Sequence, residues 1–452
     1  MKIIIVGCGK IGTTVIQSLV SEGHDVVAVD WDRNVVNEIT NIYDVIGVCG
    51  SGADCETLRE ADAAHAELFA SLTGNDEVNM LACFIAKRMG ARHTIARVRN
   101  TGYSEQSIGY MRQQLDISMT VNPEALSAQE LFHILRLPGA VNMETFSRRS
   151  FEMAEFKLRA DSPLSGMTLA DMRRRYKANF LVGVVQRGEN VYIPDGSFTL
   201  RDGDRIGLTA DAAEMMKLIR LMGITQKQAK SVMIIGASRT AFYLAKMMLA
   251  GGANVKIIEK DKERCRTFSE SLEGAVIING DGARQELLME EGLTRMDGFV
   301  ALTGMDEENI LLSYYAQEAG VPKVISKVNR SEFALMADKL GLECVVSPKK
   351  VISDIFVRYA RALRSSIGSK IETLYKLMDG RAEALEFIAQ SDFKYLHVPL
   401  KDIILRPNML IAGIIRGRKS IIPTGEDVIT AGDRVVVLTA RSRMSDLSDM
   451  VR

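Results

Sequence analysis

The chain carries one long pattern of residues twice, and this duplication restricts the possible folds more than any other feature of the sequence. The apolar run that ends at Gly7 recurs as Val232 to Ile235 with Gly236, which stands 229 positions after Gly7. Asp30 and Glu259 are separated by the same interval. Because an interval of this length holds one or two ordinary domains, we expect the 452-residue chain to contain a duplicated set of domains.

Further matches follow in the same order in both halves. They are Gly50-Ser51-Gly52 with Gly280-Asp281-Gly282, segment 72–77 with 302–307, Arg97 with Lys327, and Val121-Asn122-Pro123 with Val346-Ser347-Pro348. A smaller region is repeated behind each long segment, where 182–188 resembles 411–417 and Gly203-Asp204 corresponds to Gly432-Asp433. We therefore predict four domains, with large copies at 1–137 and 229–360 and small ones at 141–224 and 370–452.

Short apolar runs alternate with helical patterns in each large copy. This alternation is typical of a parallel sheet that is covered by helices on both faces. The small regions have short β-branched strands and tight turns, with a helical stretch at Met215 to Leu221. The predicted fold class is therefore α/β, with tandem Rossmann-like parallel-sheet domains that are each followed by a small α+β domain.

The first thirty residues follow the order strand, glycine turn, helix, strand and acid. Gly7 ends the first apolar run, Gly9 and Gly12 follow it, and Asp30 ends the next run. Gly7 suits a tight turn, Gly9 lets a pyrophosphate approach the backbone, and Gly12 lets the helix pack on the strand. The helix N-terminus offers unpaired N–H groups to phosphates. Asp30 can accept hydrogen bonds from ribose hydroxyls, so the pattern predicts an adenine nucleotide or dinucleotide site.

The bulk composition argues against several classes of protein. Basic and acidic residues balance at 57 each, which argues against a nucleic-acid binder and against a polybasic membrane anchor. The longest apolar runs are strand-sized, so we expect no helix that spans a bilayer. The sequence starts directly with a strand pattern, which does not resemble a signal peptide. The six cysteines show no CxxC spacing, and we expect reduced, mostly buried thiols of a cytoplasmic protein.

The combination of these motifs resembles the cytoplasmic regulatory subunits of Trk-type bacterial potassium uptake systems. The resemblance rests on the glycine turn, the strand-end acid, the Thr-Gly-x-Asp-Glu stretch and the trailing Gly-Asp units, in that order and in duplicate. It extends over nearly the whole chain. Proteins of this family carry two regulator-of-potassium-conductance (RCK) domains, each with a small C-terminal companion.

The resemblance implies a regulatory protein rather than an enzyme. Such a protein lies on the cytoplasmic face of the membrane and controls a membrane-embedded potassium channel or transporter subunit. Nucleotide occupancy changes the shape of a ring, and the duplication suggests a homotetramer in which four chains supply eight Rossmann domains. The nucleotide is expected to be NAD(H) or ATP/ADP, which Asp30 alone does not distinguish.

The resemblance also assigns residues to the first site. The phosphates would be held at Gly7, Cys8, Gly9, Lys10 and Ile11, with Gly12 behind them, and the ribose would be held at Asp30. The residues that would close the pocket at the strand ends are Thr73, Gly74 and Arg97.

The second copy departs from this pattern. Gly236-Ala237-Ser238-Arg239-Thr240-Ala241 keeps only the first glycine. Ser238 adds a Cβ where a pyrophosphate should pass closest, whereas Arg239 can bind a phosphate directly and Glu259 preserves the ribose carboxylate. Two interpretations stay open: a second nucleotide site that uses Gly236, Ser238, Arg239, Thr240 and Glu259, or a degenerate copy kept for ring assembly.

Other functions compete with this interpretation. The same glycine turn and acid would serve an NAD-dependent oxidoreductase, but the sequence shows neither a convincing acid–base group nor a substrate domain. Segment 73–77 fits the start of a helix, with a polar cap and carboxylates in the first turn, better than a metal site. Small domains of related regulators can bind a signalling dinucleotide, and no residue assigns that role here.

Overall fold

The computed structural model describes residues 1–146, 151–176, 179–224, 228–365, 371–440, 444 and 446–452, and the chain divides into two units. The first unit comprises Met1–Ser127 with Ser347–Ala360, and the second comprises Ala128–Val346 with Arg361–Arg452. Each unit contains one parallel sheet, and the second unit also contains both small domains. Residue 370, the predicted start of the last small domain, lies outside the described residues.

A six-stranded parallel sheet forms the centre of the first unit. Its strands are β1 (Lys2–Val6), β2 (Asp25–Asp30), β3 (Ile46–Cys49), β4 (Leu68–Ser71), β5 (His93–Arg97) and β6 (Met119–Val121). The connecting helices are α1 (Lys10–Ser21), α2 (Arg33–Ile42), α3 (Cys55–Glu60), α4 (Asp76–Met89) and α5 (Glu105–Gln114). The spatial order is β3-β2-β1-β4-β5-β6. The order reverses between β1 and β4, and a reversal of this kind opens a ligand crevice at the carboxyl ends of the strands.

The apolar pattern of the sequence explains why β1 lies at the centre of this sheet. Ile3, Ile4 and Ile5 have no exposed surface, and Val15 and Ile16 of α1 are equally buried. Full burial of such a side chain contributes roughly 1.5–3 kcal/mol. The glycine turn between β1 and α1 is therefore held from both sides by core elements.

The first small domain follows helix α6 (Pro123–Arg136). Its elements are β7 (Ala140–Phe146), β8 (Phe151–Lys157), α7 (Leu169–Tyr176), β9 (Phe180–Arg187), β10 (Asn190–Tyr192), β11 (Arg205–Ala210) and α8 (Ala212–Leu221). The strands form an antiparallel sheet in the order β10-β9-β11-β8-β7.

The second large copy repeats the architecture of the first. Its strands are β12 (Ser231–Ile235), β13 (Asn254–Glu259), β14 (Val276–Asn279), β15 (Gly298–Ala301), β16 (Lys323–Lys327) and β17 (Cys344–Val346). Its helices are α9 (Arg239–Ala250), α10 (Lys262–Ser271), α11 (Gln285–Glu290), α12 (Asp306–Glu318) and α13 (Ser331–Lys339). The parallel order β14-β13-β12-β15-β16-β17 corresponds strand for strand to the first sheet.

Helix α14 (Pro348–Ser365) leads to the second small domain. Its strands are β18 (Ile371–Leu377), β19 (Ala382–Ile388), β20 (Met409–Arg416), β21 (Lys419–Ile421) and β22 (Arg434–Thr439). They form an antiparallel sheet in the order β18-β19-β22-β20-β21, which corresponds strand for strand to the first small sheet. The predicted duplication and the predicted α/β class are both confirmed.

The repeated Gly-Asp pairs of the small domains are explained by an ion pair in which the aspartate is buried. In the first small domain, Arg187 donates two hydrogen bonds to Asp204, at 2.8 and 2.7 Å. In the second, Arg416 donates two to Asp433, at 2.9 and 2.7 Å. Both aspartates are almost fully buried, and such two-pronged pairs are among the stronger hydrogen bonds in proteins. These aspartates are therefore structural.

Most of helix α6 and most of helix α14 belong to the unit of the other large copy, not to that of the copy that precedes them in the sequence. In the second unit, the Leu135 carbonyl of α6 accepts the Ala229 N–H at 3.2 Å, just before β12. In the first unit, the Ser353 hydroxyl of α14 lies 2.6 Å from that of Ser18 on α1. Each large copy is thus completed by a helix that follows the other copy in the sequence, which periodicity alone does not reveal.

The cysteines and the helices can be compared with the expectations from the sequence. Cys8, Cys83, Cys265 and Cys344 are buried and the other two cysteines are exposed, and all six are free thiols. Within the described ranges, no helix has both the length and the apolar character that a bilayer crossing requires.

Candidate functional site

The glycine turn after β1 has the geometry of a phosphate-binding loop. Gly7 has φ +87°, and a Cβ there would lie 2.7 Å from the Thr73 nitrogen. A Cβ on Gly12 would lie 2.0 Å from the Gly7 carbonyl oxygen. A Cβ on Gly9 would meet no protein atom within 4 Å. Gly7 and Gly12 are therefore required by the fold, whereas Gly9 borders open space.

The N-terminus of α1 faces that open space without a cap from its own sequence. Gly9 is the N-cap residue, and within the described part of the chain α1 has no side-chain cap at this end. Lys10 is exposed and Ile11 is partly buried at the start of the helix. Backbone N–H groups of an uncapped first turn, together with the positive end of the helix dipole, form a binding site for an anion.

Asp30 is fixed beside this turn by two backbone donors. Its carboxylate accepts the Cys8 N–H at 2.7 Å and the Asp32 N–H at 3.0 Å, and the residue is only 9% exposed. The strand-end acid thus orients the turn as well as offering its remaining lone pairs to a ligand. Burial, and then the nearby Asp30 charge, raise the pKa of the Cys8 thiol to about 12, so Cys8 contributes its backbone rather than a nucleophile.

A buried asparagine connects the ends of β4 and β5. The Asn79 Oδ1 accepts the Thr73 N–H at 2.8 Å and the Thr73 hydroxyl at 2.7 Å, and its Nδ2 donates to the Arg97 carbonyl at 2.9 Å. We call this set of contacts the asparagine bridge. Thr73 and Arg97 were predicted from the sequence and Asn79 was not, although Asn309, at the same interval in the second copy, was a usable signal.

Side chains of Asn75, Arg97 and Arg99 form hydrogen bonds with the backbone on both sides of Thr73. Asn75 caps α4 by accepting the Val78 N–H at 2.8 Å, as predicted for a helix start. The Arg97 guanidinium donates to the Leu72 carbonyl at 3.0 Å, and that of Arg99 donates to the Gly74 carbonyl at 2.8 Å. Two cationic groups therefore lie at the carboxyl ends of the strands, where the crevice opens.

Asp76 of the same segment has a structural role that was not predicted from the sequence. The buried Asp76 carboxylate accepts the backbone N–H groups of Arg99 and Asn100, each at 2.7 Å. Among the described residues, no three His, Cys, Asp or Glu side chains form a group suited to hold a metal ion. The carboxylate instead fixes the backbone that follows β5.

The second copy preserves the carboxylate but closes the helix terminus. Glu259 accepts the Ala237 N–H at 2.7 Å and the Asp261 N–H at 2.9 Å, as Asp30 does in the first copy. Gly236 keeps φ +94°. Ser238, however, is the N-cap of α9, and its hydroxyl accepts the Ala241 N–H at 3.2 Å. A side-chain oxygen thus occupies the position that is open beside Gly9.

The remaining predicted residues of the second copy lie around this capped terminus. Arg239 is exposed at the start of α9, and Thr240 is buried. Lys327 replaces Arg97, with its Nζ 3.4 Å from the Leu302 carbonyl, and burial lowers the pKa of this ammonium group. Asn309 repeats the asparagine bridge, accepting the Thr303 N–H at 2.9 Å and donating to the Lys327 carbonyl at 3.0 Å.

Comparison with protein families agrees with this duplicated architecture. The chain matches the TrkA-N domain at residues 3–123 and 232–348, and the TrkA-C domain at 153–223 and 385–452. It is 31% identical over 455 residues to the Trk system potassium uptake protein TrkA homolog 1 of Methanosarcina mazei, with 99% of each chain covered. It is 31% identical over 454 residues to the TrkA homolog of Archaeoglobus fulgidus, with 100% of each covered. The TrkA protein of Halomonas elongata is 28% identical over 448 residues, covering 98% of this chain and 96% of that protein.

Solved structures support the same fold. The crystal structure of the GsuK RCK domain superimposes with a TM-score of 0.64 at 18% identity, covering 97% of this chain and 92% of that chain. The GsuK channel bound to NAD gives a TM-score of 0.63 at 17% identity, covering 97% of this chain and 77% of that chain. Together with the family matches, this confirms the resemblance that the duplicated motifs indicated.

Proposed function

Because this chain belongs to the TrkA family and carries its TrkA-N and TrkA-C domains twice, we propose that it is a nucleotide-binding regulatory subunit of a Trk-type potassium uptake system. The observation that carries the proposal is the first glycine turn. There, an uncapped helix terminus at Gly9 and the fixed carboxylate of Asp30 face the crevice of the parallel sheet. A phosphate and a ribose are the chemical groups that such a pair recognises.

The proposed ligand is NAD(H) or ATP/ADP. All of these contain an adenosine diphosphate, whose phosphates suit the open terminus of α1 and whose ribose hydroxyls suit Asp30. The carboxylate would repel a 2′-phosphate, which disfavours NADP. One structural neighbour is a channel bound to NAD and another is the same protein bound to ADP, which supports this ligand class.

Ligand binding is proposed to act through the strand ends. A nucleotide in the crevice would contact Thr73 and Arg97, which the asparagine bridge joins to the ends of β4 and β5. A ligand that binds one shape of an assembly better than another shifts the population toward that shape. We propose that such a shift in a ring of four chains, at the cytoplasmic face of the membrane, gates a membrane-embedded potassium channel or transporter subunit.

The two copies are proposed to differ in affinity. The first site has an open helix terminus, whereas the Ser238 hydroxyl already accepts an N–H group at the second. A phosphate at the second copy would have to displace that hydroxyl, although Arg239, Thr240 and Glu259 remain beside it. We therefore propose that the first copy is the principal nucleotide site and the second copy a weaker one.

An oxidoreductase is the alternative function. It would need an acid–base group beside the nicotinamide. At the first site, the carboxylates of Asp30 and Asp76 already accept backbone N–H groups, and the raised pKa of Cys8 disfavours a thiolate. These contacts favour a sensor without catalysis.

Calorimetric titration with NAD, NADH, ATP and ADP tests the proposal, with the full chain and with Asp30→Ala. Saturable binding that the variant loses, without NADH turnover on a carbonyl panel, is the expected result. The regulatory role is tested by rubidium flux into liposomes that contain the membrane subunit, with and without this protein and its nucleotide. Rubidium flux that is the same with and without this protein and its nucleotide would contradict the regulatory role. Steady NADH oxidation would favour the oxidoreductase.

A further inference from the structure

An exposed tryptophan stands directly after the predicted ribose carboxylate. Trp31 is the only tryptophan in the chain and is 80% exposed. It follows Asp30 at the carboxyl end of β2, on the side of the sheet where the crevice opens. Aromatic side chains usually bury about 150–250 Å² of surface each, so a tryptophan exposed to this extent beside a binding crevice points to an absent contact.

The fold itself does not require an aromatic side chain at this position. The second copy supplies the comparison, because Lys260 follows Glu259 just as Trp31 follows Asp30. The strand, the acid and the two backbone hydrogen bonds to the acid are the same in both copies. Lys260 is exposed, as a lysine ordinarily is. Trp31 is therefore a specialisation of the first copy rather than part of the shared framework.

The backbone around Trp31 is held in place by its neighbours. The preceding carboxylate of Asp30 accepts the N–H groups of Cys8, in the glycine turn, and of Asp32, the residue after Trp31. The Trp31 carbonyl lies 3.8 Å from the Cys49 sulfur at the end of β3. The indole thus projects from a fixed backbone position while its ring remains accessible.

Ribose chemistry places a base within reach of this ring. The base is attached to the sugar carbon adjacent to the one that carries the 2′-hydroxyl. If Asp30 accepts hydrogen bonds from the ribose hydroxyls, the base starts at about the distance that separates adjacent residues, whose Cα atoms are about 3.8 Å apart. Trp31 is the residue adjacent to Asp30. An indole beside the base offers a flat apolar surface on which it can stack.

We propose that Trp31 is the base-stacking residue of the first site and that it selects nucleotides with a purine base. This proposal rests on the proposed nucleotide-binding function. It adds recognition of the base, which the glycine turn and Asp30 do not contact. NAD, ATP and ADP share the adenine, so Trp31 acts equally on all three. A pyrimidine base overlaps less of the indole and binds more weakly. The second copy, with Lys260, lacks this contact.

The single tryptophan makes the proposal directly measurable in the full chain. Saturating ADP is expected to change the Trp31 emission in proportion to the calorimetric occupancy. Stacking on an aromatic residue contributes enough that truncation weakens binding by roughly 5- to 140-fold. Trp31→Ala is therefore expected to weaken ADP and NAD by the same factor, and Trp31→Phe is expected to restore most of the loss. Wild-type protein is expected to bind ADP more tightly than UDP, with a smaller preference in Trp31→Ala.

The controls separate stacking from folding and from the wider function. Tyr110→Ala removes another exposed aromatic side chain of the same unit, which is 65% exposed, and should leave ADP affinity unchanged. Thermal unfolding of Trp31→Ala should match the wild type, as Lys260 indicates. Equal ADP affinity of Trp31→Ala and the wild type, or ADP binding that leaves the Trp31 emission unchanged, would overturn the stacking role of Trp31. It would not overturn the nucleotide site itself. Absence of heat with every nucleotide in the wild type would overturn the nucleotide site itself.

Discussion

Gly12 lies so close to Gly7 that a Cβ on Gly12 would stand 2.0 Å from the Gly7 carbonyl oxygen. Gly9, between them, has no protein atom within 4 Å of its own hypothetical Cβ. The fold thus needs Gly7 and Gly12 for close backbone packing, whereas Gly9 leaves open space that is proposed to admit the ligand.

Gly12→Ala and Gly9→Ala should therefore fail in different ways. Gly12→Ala forces α1 away from β1, and we expect a loss of about 1–3 kcal/mol in the free energy of unfolding. Gly9→Ala should unfold like the wild type but bind nucleotide at least about tenfold more weakly, because its methyl group projects where the phosphates approach. Urea unfolding and calorimetric titration measure both quantities. Equal stability of the two variants would contradict this division.

Asp30→Asn should reduce both stability and binding. The asparagine amide presents a donor to one of the two N–H groups, from Cys8 and Asp32, that the carboxylate now accepts. We expect a loss of roughly 1–3 kcal/mol in the free energy of unfolding, together with loss of nucleotide binding. Glu259→Gln is the matched control in the second copy, and it should lower stability while first-site affinity is retained. A fully stable Asp30→Asn would show that these hydrogen bonds contribute little.

Ser238→Gly should strengthen nucleotide binding by the second copy. Glycine removes the hydroxyl that accepts the Ala241 N–H and leaves the terminus of α9 open, as at Gly9. Replacement of a serine N-cap by glycine costs only about a few tenths of a kcal/mol, so the fold should persist. Calorimetry should then give a stoichiometry of two nucleotides per chain at concentrations where the wild type gives one. Ser238→Ala, which retains the Cβ, separates the effect of the hydroxyl from that of the side-chain volume.

Thiol chemistry should distinguish the exposed from the buried cysteines. Cys49 and Cys55 are exposed, whereas burial raises the pKa of the Cys8 thiol to about 12 and also raises the pKa values of Cys83 and Cys344. We expect a disulfide reagent at pH 8 to modify two thiols rapidly in the native chain. The remainder should react only after unfolding, because a thiolate is the reactive form. Rapid loss of thiols from a Cys49→Ser, Cys55→Ser double variant would contradict this assignment.

His93 should make stability depend on pH. Burial lowers the pKa of this imidazole in the folded chain, and Lys87 and Arg92 act in the same direction. The unfolded chain then binds a proton more readily, so its stability relative to the folded chain rises as the pH falls. We expect the free energy of unfolding to decrease as the pH falls through the unfolded pKa of about 6.5, and to level off below the folded pKa.

The test for His93 is a substitution that keeps an aromatic ring. His93 packs edge-on against Tyr359 of α14, with ring centroids 6.3 Å apart. His93→Phe retains a ring there but cannot titrate, so the decrease in stability between pH 7.5 and pH 5 should become smaller. Urea unfolding across this range measures it, and an unchanged slope in the variant would assign the pH dependence to other groups.

The sequence was most informative where one residue type meets one backbone requirement. The interval from Gly7 to Asp30 indicated the succession of strand, glycine turn, helix and strand, and a polar cap at the start of α4 was expected from segment 73–77. The roles of Asp76 and Asn79 were missed, because their partners are backbone groups at the far end of the next strand. The packing partners of helices α6 and α14 were missed in a similar way, since the copy on which a helix packs leaves no trace in the helix's own periodicity.

The asparagine bridge is made in both copies without any atom of the phosphate turn. Asn79 joins Thr73 to Arg97, and Asn309 joins Thr303 to Lys327, although the turns themselves differ. A substitution in the turn can therefore alter ligand choice while the framework persists. The duplication thus left each copy with its own turn on a common support, and the two turns could diverge in sequence without loss of that support.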